Sequence, residues 1–218
     1  MISLRSKVGA PRGLVGLPAA HSDIEREAQL SHIVQRGLQE HTELFQRLSA
    51  LAPDIEQAAA IIAEALRTGR KLLLCGNGGS AADSQHIAAE MTGRFVKDRR
   101  PLAAIALSTD TSALTSIAND YSFDDVFSRQ VMALGARGDC LLAISTSGHS
   151  RNVIRAAEAA REAGIHAIGL LGRDGGAILP LCEAAIVVPS QTTARIQEAH
   201  SFIGHSLCAL VEAALGLS

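Results

Sequence analysis

Lys71-Leu-Leu-Leu-Cys75-Gly-Asn-Gly-Gly-Ser80 decides the fold of this chain. Leu72–Cys75 is a continuous apolar run of strand length closed by glycines, the pattern of a short strand covered on both faces. The glycine-rich turn opens a helical pattern at about Ala81–Thr92, and a strand feeding a helix through a tight turn begins a βαβ unit. Downstream the same alternation repeats. Strands are expected at Ala103–Leu107, Cys140–Ile144, Ala167–Leu171 and Ala185–Val188, and helices at about Thr111–Ala118, Phe123–Leu134, Arg151–Ala163 and Arg195–Leu215. Upstream, Ile24, Ala28, Ile33, Val34, Leu38, Leu44, Phe45 and Leu48 recur at roughly three- and four-residue spacing until Pro53 breaks the pattern, and a second helix is expected from Asp54 to Thr68, ended by Gly69. The expectation is an α/β fold in one domain over residues 22–218. A doubly wound five-stranded parallel sheet is flanked by helices, with two N-terminal helices added over about 23–69. Residues 1–21, with Gly9, Pro11, Gly13, Gly16 and Pro18, show no periodicity and are expected to form a flexible leader.

A chain of 218 residues that is 47% hydrophobic can bury a sizeable core as one domain. Its formal net charge of -2 and pI near 6.4 give no electrostatic footprint for nucleic acid. The Lys97-Asp98-Arg99-Arg100 run reads as a solvated surface turn. Cys75, Cys140, Cys182 and Cys208 lack metal-ligand spacing and sit in or beside apolar runs, which suits buried free thiols in a reducing compartment. With no apolar stretch of membrane-spanning length and no secretory h-region, the expected location is cytoplasmic, with no membrane partner.

In open parallel sheets, ligands bind beyond the carboxyl ends of the strands. The loop after Ile144, Ser145-Thr-Ser-Gly-His-Ser150, combines hydroxyls, a glycine and the start of a helix. That makes an uncharged anion cradle, suited to phosphate, although any one of its serines could be a simple helix cap. The loop after Cys75 lacks the G-x-G-x-x-G spacing of dinucleotide folds and the lysine of a P-loop. Its glycines would admit a ligand close to the backbone, Asn77 offers an amide to hydroxyls, and Ser80 is a candidate cap. On the helix that follows, His86 and Glu90 stand four residues apart, one turn along the same face. Zinc accepts both ligand types, and so does a plain surface contact. Gln197, Glu198, His200 and His205 interrupt an otherwise apolar last helix.

The blocks CGNGGSAADSQHIAAE, SIANDYSFDDVFSRQV, ISTSGHSRNVI and ARIQEAHSFIGH, in this order, resemble the sugar isomerase (SIS) domain proteins of the phosphoheptose isomerase type from about residue 23 onward. The resemblance implies a cytoplasmic homotetramer that binds zinc. It would interconvert sedoheptulose 7-phosphate and D-glycero-D-manno-heptose 7-phosphate for bacterial surface polysaccharide. It places the zinc ligands on His86, Glu90, Gln197 and His205, one ion per subunit. Sugar-phosphate contacts fall on Asn77, Gly78, Gly79, Glu90, Asn119, Asp120, Ser145, Thr146, Ser147, Ser150 and Gln197, and the acid/base pair on Glu90 and His205. Some members carry an aspartate where this chain has Ala194, so any contribution of that carboxylate is absent or replaced here.

The implied chemistry suits these residues. Moving a carbonyl from C2 to C1 requires a base at C1, a stabilised enediolate and a proton returned at C2, tasks for Glu90 and His205 with a metal polarising the carbonyl. The alternative is a non-catalytic SIS-domain adaptor of the kind that binds the replication initiator (DiaA-like). Such relatives lack a carboxylate at the position of Glu90 and an imidazole at that of His205. A sugar-phosphate-sensing regulator is disfavoured, because the first 70 residues show no DNA-reading helix-turn-helix. Gln197 and His205 are eight residues apart, about 12 Å of helical rise. A homo-oligomer with sites at subunit interfaces is therefore expected, with a shared metal site as a corollary.

Overall fold

In the computed structural model the described residues are 23–218, with the backbone alone described for residues 23–29 and 31. The leader expected over residues 1–21 lies outside them. The elements are α1 (Asp23–Arg47), α2 (Ala52–Arg67), β1 (Leu72–Cys75), α3 (Gly79–Thr92), β2 (Ala104–Ala106), α4 (Thr111–Asp120), α5 (Ser128–Leu134), β3 (Cys140–Ser145), α6 (Arg151–Ala163), β4 (His166–Gly172), β5 (Ala184–Val188) and α7 (Thr193–Ala214). Short 3-10 turns cover Leu48–Leu51, Phe123–Asp125 and Gly176–Leu181. Two compact units are present, up to Leu38 and from Gln39 to Ser218. The described part of the first is helical and exposes Leu30, Ile33 and Val34.

The second unit holds the sheet, all parallel, in the order β2-β1-β3-β4-β5. Side chains alternate across a strand. Leu72, Leu74, Leu142 and Ile144 therefore pack with α2, α3 and α7 on one face, while Leu73, Cys75, Leu141 and Ala143 pack with α5 and α6 on the other. Both faces are covered, which is why the strands read as unbroken apolar runs.

The structure corrects four local expectations. Pro53 sits in the first turn of α2, where a missing N–H costs nothing, so it starts that helix, and α1 ends earlier at Arg47. The helix expected over Phe123–Leu134 is split into a 3-10 turn and α5. The Ser122 hydroxyl caps the turn, and α6 holds its carboxylates through Arg151–Asp124 at 2.9 Å and Arg155–Asp125. Arg99, expected at the surface, has a side chain only 2% exposed, because Glu212 and several carbonyls satisfy its guanidinium. Cys75, Cys140 and Cys208 are buried free thiols, whereas Cys182 is half-buried because it ends a surface 3-10 turn. Burial pushes the three buried thiols up to about 12 and Cys182 up to about 11, so all four stay protonated and unreactive near neutrality.

Candidate active site

β1 and β3 are neighbours, and the chain leaves them toward opposite faces, into α3 and into α6. Their carboxyl ends therefore flank a crevice at the topological switch point. On the β1 side, Gly78 holds φ 56 as the residue preceding α3, a conformation that a side chain would strain. Ser80 does not cap α3. It lies buried inside the first turn, where its carbonyl accepts the Ser84 hydroxyl at 2.8 Å. Asn77 is also already engaged: its amide exchanges two hydrogen bonds of 2.8 Å with the amide of Asn152 in the first turn of α6, tying the two loops across the crevice.

The β3 side supplies the hydroxyls. Ser145 Oγ accepts the Gly148 N–H at 3.1 Å and lies 3.1 Å from Ser150 Oγ. One of the two serine protons is spent between them, leaving the other for a ligand. Ser147 Oγ accepts the His149 N–H at 3.2 Å and keeps its own proton to donate. Ser150 makes no side-chain cap to α6; its carbonyl accepts the Val153 and Ile154 N–H groups, and the N–H groups of Arg151 and Asn152 at the head of the helix could serve an anion.

Beyond the crevice, α3 and α7 run side by side in the same direction. A Cβ on Gly79 would lie 2.3 Å from Gln197 Nε2, and one on Gly204 would lie 2.8 Å from Ile87 Cδ1, so two glycines let the helices meet. Ser201 donates to Asp83 at 2.9 Å. One turn further on, His86 Nε2 and His205 Nε2 are 2.8 Å apart, one donating and the other accepting, with their rings at 70°. The Glu90 carboxylate lies 3.7 Å from His86 Nε2 and is largely covered, and the Phe95 ring centroid is 5.6 Å from that of His205. A carboxylate and two imidazoles from helices distant in sequence thus converge about two to three turns along α3 from the glycine-rich loop.

The SIS domain profile matches residues 38–172. Over 184 residues the chain is 58% identical to the phosphoheptose isomerase of Nitratiruptor sp., covering 84% of this chain and 98% of that protein. The chain belongs to the phosphoheptose isomerase family. Solved structures agree with the family's fold. The phosphoheptose isomerase GmhA from Neisseria gonorrhoeae is 48% identical, with a TM-score of 0.80 over 84% of this chain and 99% of that one. A phosphoheptose isomerase from Francisella tularensis is 36% identical, with a TM-score of 0.78 over 86% and 98%.

Of the positions that the phosphoheptose isomerase family's pattern singles out, this chain brings His86, Glu90 and His205 together, and sets Ser145, Thr146, Ser147 and Ser150 in one loop beside Asn77 and Gly78. Gln197 is held against Gly79, about two turns along α7 from His205. Asn119 and Asp120 lie exposed at the end of α4, where the Asn119 amide donates to Asp120 at 2.8 Å. Two imidazoles and a carboxylate are donors that zinc accepts. Among the described residues, however, no group of three or more His, Cys, Asp or Glu side chains is placed to hold a metal ion. The two Nε2 atoms at 2.8 Å bond each other, whereas two nitrogens on one tetrahedral zinc stand roughly 3.3 Å apart.

Sequence reading missed Asn152, whose place in an apolar-faced helix gave no sign of a partner across the sheet. It also missed Asp83. Burial raises that carboxyl's pKa, against the Ser201 hydrogen bond and the nearby His86, and its Oδ2 is buried without a partner. His200, one of the polar residues that interrupt the apolar pattern of α7, faces the core. It is fully buried, neither ring nitrogen has a partner of hydrogen-bond geometry, and burial pushes its pKa down to about 4 against a lesser opposing pull from the Leu171 backbone.

Proposed function

We propose that the crevice between the β1 and β3 loops isomerises sedoheptulose 7-phosphate to D-glycero-D-manno-heptose 7-phosphate through an enediolate. The observation that carries this reading is the meeting of Glu90 and His205 around His86, on the helix that leaves the β1 loop and the helix beside it, in a fold whose Ser145–Ser150 loop has the hydroxyls and helix N-terminus to suit a phosphate. The Ser145–Ser150 loop holds the phosphate, with the Ser147 hydroxyl and the spare proton of the Ser145–Ser150 pair as neutral donors. The Asn77–Asn152 amides each keep a second N–H for sugar hydroxyls. Glu90 takes the C1 proton, the negative charge spreads over O1 and O2, and a proton is returned at C2. His205 moves the proton between the oxygens. General acid/base catalysis of this kind contributes about 10²–10⁴-fold.

We further propose one zinc ion per subunit, held by His86, Glu90 and His205 once the His86–His205 hydrogen bond opens to admit it, with Gln197 as fourth ligand. Such an ion would polarise the substrate carbonyl. A homotetramer is the proposed assembly. It would cover the exposed Leu30, Ile33 and Val34 of α1, and Phe202, which lines an apolar groove with Phe45, Leu48, Ile55 and Leu210. Since one chain already gathers His86, Glu90 and His205, Gln197 is the ligand a neighbouring subunit would supply. No helix among the described residues is long and apolar enough to cross a membrane, and the cytoplasm is the proposed location. The adaptor reading gains no support from the relatives, which are isomerases by name.

Incubating the zinc-loaded protein with sedoheptulose 7-phosphate and following the aldose C1 proton by NMR tests the reading. Aldose formation is expected, and no turnover would revive the adaptor. Sedimentation is expected to give a tetramer. A fully active monomer would refute sites at subunit interfaces.

A further inference from the structure

Among the described residues, Arg99–Glu212 is the one ion pair with both side chains buried, 2% and 4% exposed, and it stands directly behind the candidate acid/base pair. Arg99 Nε donates to Glu212 Oε1 at 2.7 Å. Its Nη1 donates to the carbonyls of Met91 at 2.8 Å, Gly93 at 2.9 Å and Arg100 at 3.2 Å, and its Nη2 to the carbonyl of Glu90 itself at 2.7 Å. The last carbonyls of a helix have no partner within it and carry the negative end of its dipole, so a guanidinium spread across Glu90, Met91 and Gly93 closes off α3. Glu212 carries the same lock into α7, about two turns beyond His205. Its Oε1 also accepts the Phe95 N–H at 3.3 Å, and the Phe95 ring lies against His205. One hydrogen-bonded unit therefore reaches the backbone of Glu90, the helix that carries His205 and the ring that packs on His205.

A buried ion pair is weak evidence for stability, because an apolar pair of similar volume is often as stable or more so. What an apolar pair cannot reproduce is the set of directed bonds to the carbonyls of one particular turn. We propose that Arg99 and Glu212 are positioning residues: touching no substrate, they lock the last turn of α3 to α7 and so fix the spacing of Glu90 and His205. The proposal rests on the isomerase reading for its kinetic arm only.

The test compares the parent with R99M/E212L, which fills the same volume with apolar atoms, and with Arg99→Lys, which keeps the charge but cannot serve Glu212 and three α3 carbonyls together. Thermal unfolding, kcat, KM and the imidazole 15N NMR signals of His86 and His205 are recorded for each. Expected are folded variants with lowered melting temperatures, because the α3 carbonyls and the Phe95 N–H lose their partners, kcat lowered about 10- to 100-fold at temperatures where each variant is fully folded, as for misplacements of about 1 Å, and KM within about threefold, because the phosphate loop is untouched. The imidazole signals of His86 and His205, whether bonded to each other or to a metal, should shift or broaden as the helix spacing changes. A folded R99M/E212L with parental kcat would overturn the proposal. If that variant does not fold, parental kcat in Arg99→Lys overturns it equally. Should the parent prove inactive, the isomerase reading fails alone, and imidazole signals unchanged in the folded variants would then overturn the positioning role.

Discussion

His200 makes the stability of this chain depend on pH in a window set by one side chain. Its pKa moves from 6.5 in the unfolded chain down to about 4 in the fold, the cause being burial between α7 and the sheet. Between those values the unfolded chain binds the proton and the native chain does not, so stability is full above about pH 6.5, falls as the pH drops toward 4, and levels off below. A shift of this size is worth roughly 3 kcal/mol at the plateau and roughly 2.5 kcal/mol at pH 4.5, at about 1.4 kcal/mol per unit. His200→Leu replaces two buried, unpartnered nitrogens with apolar atoms, a change expected to be near neutral at pH 7.5. Urea unfolding of parent and variant at pH 7.5 and 4.5 cancels the titration of all other groups. The variant should gain roughly 2–3 kcal/mol on the parent as the pH falls. Parallel pH profiles would refute the claim that His200 is held neutral in the core.

Glu90→Gln preserves shape while removing the carboxylate that meets His86, and should lower kcat by at least the roughly 10²–10⁴-fold of general acid/base catalysis with an unchanged melting temperature. Retention of most of the parental kcat would remove Glu90 from the role of base. Ser147→Ala and Ser150→Ala each delete a neutral hydroxyl from the phosphate loop, worth about 0.5–1.5 kcal/mol, so steady-state kinetics should show KM raised about two- to tenfold. Unchanged KM in both would move the phosphate elsewhere.

The sheet was legible because a strand covered on both faces is apolar at every position, and Leu72–Cys75 and Cys140–Ser145 announce themselves that way. The order β2-β1-β3-β4-β5 then puts the two motif-bearing loops beside one crevice. Contacts that cross between elements were not legible. Nothing in local composition distinguishes Arg99 from its exposed neighbours Asp98 and Arg100; its burial depends on Glu212, more than a hundred positions away and set among the apolar residues at the end of α7. The same holds for Asn77, whose amide finds Asn152 only once β1 and β3 are paired. Periodicity also placed the apolar residues of α1 and the turn after it on one stripe, yet Leu44 and Leu48 are buried while Ile33 and Val34 face solvent. A 3.6-residue pattern records a covered face without saying which chain covers it.

Isomerisation of sedoheptulose 7-phosphate in D2O, read by NMR at C2 of the product, tests the central claim most directly. Proton abstraction at C1 by Glu90 and return of a proton at C2 through an enediolate predict an aldose that carries solvent deuterium at C2 in at least part of the product. Absence of the aldose, or an aldose formed wholly without deuterium at C2, would contradict the account.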